Sequence, residues 1–207
     1  MRVLVACEYS AVVRDAFRAR GFDARSCDLL PTEGDARWHY QGDVFDVIDF
    51  PWDFAGFHFP CTDASVSGAK HFDAKKLDGR FYASASLWLR GWKMSRHIRG
   101  GYFEHPVSVM SSLFRKPDQI IQPWMFGHFE TKATCLWLWG VDRLKPTYRS
   151  KDECREALGL PVDAKPEARV HKMTPGPDRW KERSRTLPNV AEAMAAQWGH
   201  SQFSMQL

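Results

Sequence analysis

The chain has 207 residues, 44% hydrophobic and 26% charged: enough apolar surface for one sizeable core, too little length for two ordinary domains. No apolar run approaches bilayer length and the opening apolar stretch is broken at Glu8, so a soluble protein without signal peptide or membrane partner is expected, working in the cytoplasm. Net charge is +4 but unevenly spread: residues 1–60 carry 6 basic and 10 acidic groups, residues 61–140 carry 11 and 6, and the remainder 12 and 9. An acidic first third followed by a basic remainder suits a protein that meets a polyanion on one side, and equally suits an ordinary solvated surface. The five cysteines are scattered and never form C-x-x-C, which indicates neither a disulfide framework nor a zinc knuckle.

Residues 2–7 read as a short buried strand. Ser10 is placed to cap a helix carrying Val12, Val13, Ala16 and Phe17, with Gly21 as its left-handed stop, and a second strand follows at Asp23–Cys27, ending in Asp28. Strand, helix and strand within thirty residues open a doubly wound α/β sheet, whose ligands sit at the carboxyl ends of the strands. Glu8, Tyr9, Ser10 and Asp28 fall at that edge.

Gly42-Asp43-Val44 starts a further short segment, and the apolar run 52–57 predicts a strand that exits through His58-Phe59-Pro60-Cys61. Phe81, Ala85, Trp88 and Trp92 repeat at helical spacing and predict a helix from Arg80 to His97, ended by Gly100-Gly101. Tyr102-Phe103 starts a strand that leaves through Glu104-His105-Pro106 at the same edge as Cys61, and Thr134–Trp139 is another strand, closed by Gly140. Ser150 and Glu153 form a capping box for a short helix ending at Gly159. Residues 163–187 read as a loop-rich basic lobe, and Asn189 with Glu192 forms a second capping box for a last helix through Trp198.

Cys61 follows a proline at a strand's carboxyl end, where this fold class holds substrates, and Glu104 leaves a later strand at the same edge. A thiol facing a carboxylate suits an attack that needs a nucleophile and a proton manager; a buried cysteine is also, more blandly, a small hydrophobe. His58, Cys61 and His71 lack the spacing of a zinc deaminase, so no metal is expected. Arg169, Lys172, Arg179, Lys181, Arg183 and Arg185, interleaved with His171 and Trp180, can track a phosphate backbone or form a solvated loop. The tryptophans on regular elements read as core; Trp124 and Trp180, in loops, are the better contact candidates.

Pro60-Cys61-Thr62-Asp63-Ala64-Ser65 resembles the proline-cysteine motif of DNA cytosine-5 methyltransferases. Phe103-Glu104-His105-Pro106-Val107 resembles their glutamate-asparagine-valine motif, and Glu130-Thr131-Lys132-Ala133-Thr134 their glutamine-x-arginine-x-arginine motif, in the family's order. Gly42-Asp43-Val44 and the segment 187–193 containing Asn189 are similar to further family segments, and the whole chain, including 115–124, resembles small phage and prophage cytosine methylases. The resemblance implies a single methyltransferase-like domain over 1–207: a Rossmann-like, doubly wound, mostly parallel sheet of the class I methyltransferase type, with a small basic lobe at 141–188 before the last helix. It implies methyl transfer from S-adenosylmethionine to carbon 5 of cytosine in DNA, with Cys61 adding to carbon 6, Glu104 binding the ring nitrogen and exocyclic amine, and Lys132 bringing a positive charge near the base carbonyl or a phosphate. Glu8, Tyr9, Ser10, Asp28, Asp43, Pro60 and Asn189 would then face the cofactor, and Ser65, Arg179, Trp180, Arg183 and Arg185 the nucleic acid. Asp28 and Asp43 stay open between that role and capping turns.

The chain departs from the family in having no glycine in the loop after its first strand, His105 for the asparagine, Lys132 and Thr134 for the two arginines, and no large recognition domain. A pyrimidine nucleotide substrate or another one-carbon donor is therefore one alternative expectation, and an inactive nucleic-acid-binding protein on the same fold is another.

Overall fold

A computed structural model describes residues 1–174, 176 and 179–200, the side chain of His171 excepted; Pro175, Pro177 and Asp178 of the basic segment lie outside the described residues. The strands are β1 (Arg2–Ala6), β2 (Asp23–Asp28), β3 (His39–Gln41), β4 (Phe54–Phe57), β5 (Gly100–Pro106), β6 (Gln119–Ile121) and β7 (Thr134–Trp139). They form one sheet in the order β3-β2-β1-β4-β5-β7-β6. Neighbours from β3 through β5 pair in parallel, whereas β7 runs antiparallel to both β5 and β6. The α/β, mostly parallel sheet is thus as expected. Its order reverses between β1 and β4, and a crevice at such a reversal, beyond the carboxyl ends of the strands, is where this architecture binds ligands.

The helices are α1 (Val12–Ala19), α2 (Phe72–Leu77), α3 (Arg80–Met94), α4 (Met110–Leu113), α5 (Lys151–Ala157), α6 (Arg169–Lys172), α7 (Arg179–Ser184) and α8 (Pro188–Trp198). Two apolar layers sandwich the sheet. On one face Val13 and Phe17 of α1 and Met194 and Trp198 of α8 pack on Val3, Val5, Phe54 and Tyr102; on the other Ala85 and Trp88 of α3 pack on Leu4, Phe57, Phe103 and Trp137. Trp88 and Trp92 stack in parallel with centroids 5.7 Å apart, and Phe57 stacks on Phe103 at 4.5 Å across β4 and β5. Truncating one buried tryptophan of this layer to alanine costs about 3–5 kcal/mol by lost contact and residual cavity.

Several local expectations are corrected. Ser10 does not cap α1: the cap position is Ala11, in a left-handed conformation, and the Glu8 carboxylate takes the first amides, accepting from Val13 (2.6 Å) and Arg14 (3.1 Å). A carboxylate accepts two amides where a hydroxyl serves one, and it answers the positive end of the helix. Asn189 does not cap α8, which begins at Pro188 with Leu187 in the cap position and no side-chain cap, since proline supplies a first turn that needs no donor. Gly100 and Gly101 lie inside β5 rather than ending a helix; α3 stops at Met94 and a 3-10 turn, Ser95–His97, completes it. A Cβ on Gly101 would collide with the Ala55 carbonyl and the Trp139 ring, which explains glycine in a central strand. Trp124 is buried in the turn Pro123–Phe126 and is no contact residue.

The cap at Ser150 is as expected, its hydroxyl accepting from the Glu153 amide at 3.1 Å, although Glu153 answers Arg149 rather than Ser150. Gly21 takes the left-handed backbone expected of it, and Gly140 and Gly159 are left-handed as well. No helix among the described residues is long and apolar enough to cross a membrane.

Candidate active site

Parallel pairing brings the exits of β4 and β5 together. Phe57 pairs with Phe103, so the next residues along, His58 and Glu104, are side by side at the carboxyl edge. The His58 Nδ1 lies 3.3 Å from Glu104 Oε2, and its Nε2 shares a 2.9 Å hydrogen bond with the Tyr102 hydroxyl. Three residues on, the Cys61 carbonyl accepts from the amides of Ala64 (3.1 Å) and Ser65 (2.9 Å), which curls the cysteine loop into a turn. That turn is pinned twice. Lys75 donates to the Thr62 carbonyl at 2.6 Å and pairs with Asp63, and an antiparallel bridge joins Ser65 to Ser108 just beyond β5.

Lys132 enters from the loop before β7. Its amide donates to Gln122 Oε1 at 3.0 Å and its ammonium to the Arg185 carbonyl at 2.7 Å. Cys61, Glu104 and Lys132 feel one another's charge. Burial and then Glu104 push the Cys61 thiol above its ordinary 9.0, with Lys132 and Arg183 pulling back. Burial raises Glu104, but His58, Lys132 and His105 outweigh it and hold the carboxyl below its ordinary value. Burial pulls Lys132 down while Glu104 and Cys61 support its charge. The surroundings thus favour the neutral thiol at Cys61 and the carboxylate at Glu104. Glu104, Lys132, Thr134, Thr186, Leu187 and Val190 line a small pocket between the sheet edge and the start of α8.

The loop after β1 is built differently. Cys7 (φ 58°) and Ala11 (φ 65°) occupy the left-handed region that favours glycine, so the backbone follows a glycine-like path without glycine. Glu8 is buried and committed to α1. The Tyr9 carbonyl accepts from the Glu33 amide (2.9 Å) and the Thr32 hydroxyl (3.0 Å), while Ser10 lies 3.5 Å from Glu8. Asp28 accepts from the Leu30 amide at 2.9 Å and Asp43 from the Phe45 amide at 3.0 Å. Each caps a turn, and the Leu29 amide also supports the Asp28 carboxylate. Burial raises the Asp28 carboxyl, opposed by the Leu30 amide, and burial with Asp28, Cys27 and Asp43 raises the Cys7 thiol strongly.

A basic strap closes over both halves. The Tyr9 hydroxyl donates to the Lys181 carbonyl at 2.8 Å and lies 3.3 Å from Ser184 Oγ, and its ring meets Trp180 at 6.2 Å. Arg185 makes a two-pronged pair with Glu33 at 2.5 and 2.6 Å. Arg183 reaches Cys61 and Lys132 through its charge, and Arg179 has a buried Nε without a hydrogen-bond partner among the described residues. A second tie holds the lobe at its base: Glu130 accepts from Arg169 at 2.8 Å and contacts His128, beside a bridge to Glu167.

Of the sequence-predicted residues, Cys61, Glu104 and Lys132 come together, with Pro60 exposed at the entrance. Tyr9, Arg183, Arg185 and Trp180 meet along the strap, and Trp180 stays half exposed. Ser65 turns inward to Ser67 at 2.9 Å, and Asn189 lies exposed in the first turn of α8 beside Gly127. His58 and Tyr102 escaped the reading, which considered His58 only as a metal ligand; the signal lay in its position, one residue past a strand and level with Glu104. Among the described residues no group of three or more histidine, cysteine or acidic side chains is arranged to hold a metal. No protein-family model matches the chain, and no curated protein matches it.

Proposed function

We propose that the chain is a methyltransferase of the class I type that acts on carbon 5 of cytosine in DNA. The observation that carries the reading is the convergence of the Cys61 thiol, the Glu104 carboxylate and the Lys132 ammonium at one sheet edge, from three separate elements. Carbon 5 of cytosine is a weak nucleophile, and addition of the Cys61 sulfur to carbon 6 turns the ring into an enamine that is nucleophilic at carbon 5. Glu104 takes hydrogen bonds from the amine edge of the base and stabilises a proton at the ring nitrogen as sulfur adds. Lys132 and Arg183 favour the thiolate over the thiol as the pocket fills. Once carbon 5 carries the new methyl group, its proton passes to a water molecule acting as base, the sulfur leaves carbon 6 as thiolate with the bonding pair, and the ring regains its aromaticity. The base has to be unstacked to present its face to Cys61.

S-adenosylmethionine would supply the methyl group. The residues at this edge fit it: the carboxylates of Asp28, ending β2, and Asp43, after β3, suit hydroxyl or amine donors, and the glycine-like turn at Cys7 and Ala11, after β1, brings backbone to the switch-point crevice. Glu8 is not among the donors.

A second reading, a pyrimidine nucleotide as substrate, is favoured by the strap, which leaves a small pocket and little surface for gripping a duplex. Covalent trapping separates these. Wild-type protein and Cys61→Ala are incubated with 5-fluorocytosine in single-stranded DNA, duplex DNA or the free nucleotide, with and without S-adenosylmethionine, and read by intact mass. A Cys61-dependent, cofactor-dependent adduct on DNA is expected. An adduct only on the nucleotide selects the second reading, and salt-sensitive DNA binding without any adduct selects a binding protein.

A further inference from the structure

His58 is an enclosed polar group in direct contact with Glu104 that the proposed reaction leaves without a task. It sits on the first residue past β4, its amide held by the Ala6 carbonyl at 3.0 Å, and its side chain is only 7% exposed. One ring nitrogen meets the Tyr102 hydroxyl and the other Glu104 Oε2, both partners being on β5. The Tyr102 ring stands edge-on to the imidazole and is itself wholly buried, held over Gly56, where any larger side chain would collide with it. From the other elements the carboxylates of Glu8 and Asp28 feel the same imidazole.

The consequence falls on Glu104. With Oε2 turned to His58, Oε1 is the oxygen left for the pocket it lines with Lys132 and Thr134. We propose that His58 is a positioning residue for Glu104: clamped against the Tyr102 hydroxyl, it fixes the rotation of the carboxylate and keeps the pocket-facing oxygen an acceptor for the N–H edge of a pyrimidine. The inference rests on the reading of Cys61 and Glu104 given above. His58 touches the carboxylate and not the ring, so it acts through Glu104 alone.

Two measurements test it. The Glu104 carboxyl is followed by carbon-13 NMR, assigned with Glu104→Gln, in wild type, His58→Ala and His58→Asn. Asparagine keeps a donor near the Nδ1 position without the ring, and it makes the comparison should the alanine variant fail to fold. Loss of the imidazole is expected to raise the Glu104 midpoint by about one pH unit or more in His58→Ala, and by less in His58→Asn. The rate of adduct formation with 5-fluorocytosine substrate is expected to fall by about tenfold or more in the alanine variant, to recover in part with asparagine, and to shift its acid limb upward with the Glu104 midpoint. A Glu104 titration unmoved in a folded variant overturns the proposal, as does a moved titration with an unchanged rate and pH profile. If wild type forms no adduct, the methyl-transfer reading fails, while the titration still decides whether His58 governs Glu104.

Discussion

Two glutamates mark the two halves of the carboxyl edge, and they are used in opposite ways. Glu8, after β1, spends both oxygens on the first amides of α1, and burial raises its carboxyl even though His58 and those amides pull it down. Glu104, on β5, is slightly more exposed, and His58 and Lys132 overcome the effect of burial and hold it low, with one oxygen left to face the pocket. The first carboxylate is a piece of structure; the second is free for chemistry. The difference follows from what lies next to each: a helix start for Glu8, a histidine, a lysine and a pocket for Glu104.

The sharpest way to break this contrast is to remove the reacting pair. Cys61→Ala is expected to abolish the covalent adduct, and Glu104→Gln to slow its formation by about 10²–10⁴-fold, with only a secondary loss of stability above pH 4.5. Glu8→Ala should do the reverse: a loss of about 1–2 kcal/mol in urea unfolding, from two helix amides left without their acceptor. The pair also differ in pH dependence. Glu8 has a folded value above its ordinary 4.5, so its ionisation weakens the fold as pH rises from the ordinary value through the raised one. Glu104 has a folded value below 4.5, so its contribution is present above 4.5 and lost as pH falls through the lowered value. Unfolding series between pH 3 and pH 7 should therefore move Glu8→Gln toward wild type in stability as pH rises, and Glu104→Gln away from it.

Much of the same contrast was legible in the sequence. The apolar runs of β1 and β4, the helical repeat of Phe81, Ala85 and Trp88 and the β7 run each announce a buried element, and together they place Cys61 and Glu104 at one edge. The strands β3 and β6 have three residues each, too short for a period-2 pattern to register, and both lie at the edges of the sheet, where burial on one side suffices. Ser10 carried the stronger local capping signal, but the left-handed turn at Ala11 brought Glu8 to the helix start instead. His58 needed the register of β4 against β5, a long-range fact that no spacing along one strand contains.

A smaller effect probes the strap. Arg185 is partly exposed and pairs with Glu33, so Arg185→Ala is expected to cost no more than about 1 kcal/mol of global stability. Its signature is local: the 179–187 segment loses its anchor to the loop after β2 while keeping Tyr9 on Lys181, and its amides should exchange faster with solvent than in wild type, with those of β1 and β4 unchanged. Equal exchange across 179–187 in both proteins would show that Lys132 and Tyr9 hold the strap without Arg185.

The smallest expected change has the opposite sign. Ala11 pays a left-handed penalty of about 1–2 kcal/mol that glycine escapes, whereas glycine adds about 0.5–1 kcal/mol of chain entropy to the unfolded state. Ala11 also packs wholly buried beside Gly34, so its methyl contributes contacts that glycine forgoes. The balance predicts that Ala11→Gly leaves stability within about 1 kcal/mol of wild type, on the stabilising side. The same exchange loosens the turn that carries Tyr9 toward the strap. If the loop after β1 is a cofactor edge held ready by its strained backbone, titration with S-adenosylmethionine should show weaker binding to Ala11→Gly despite its unimpaired fold. Equal binding would mean that the left-handed turn serves the entry into α1 alone.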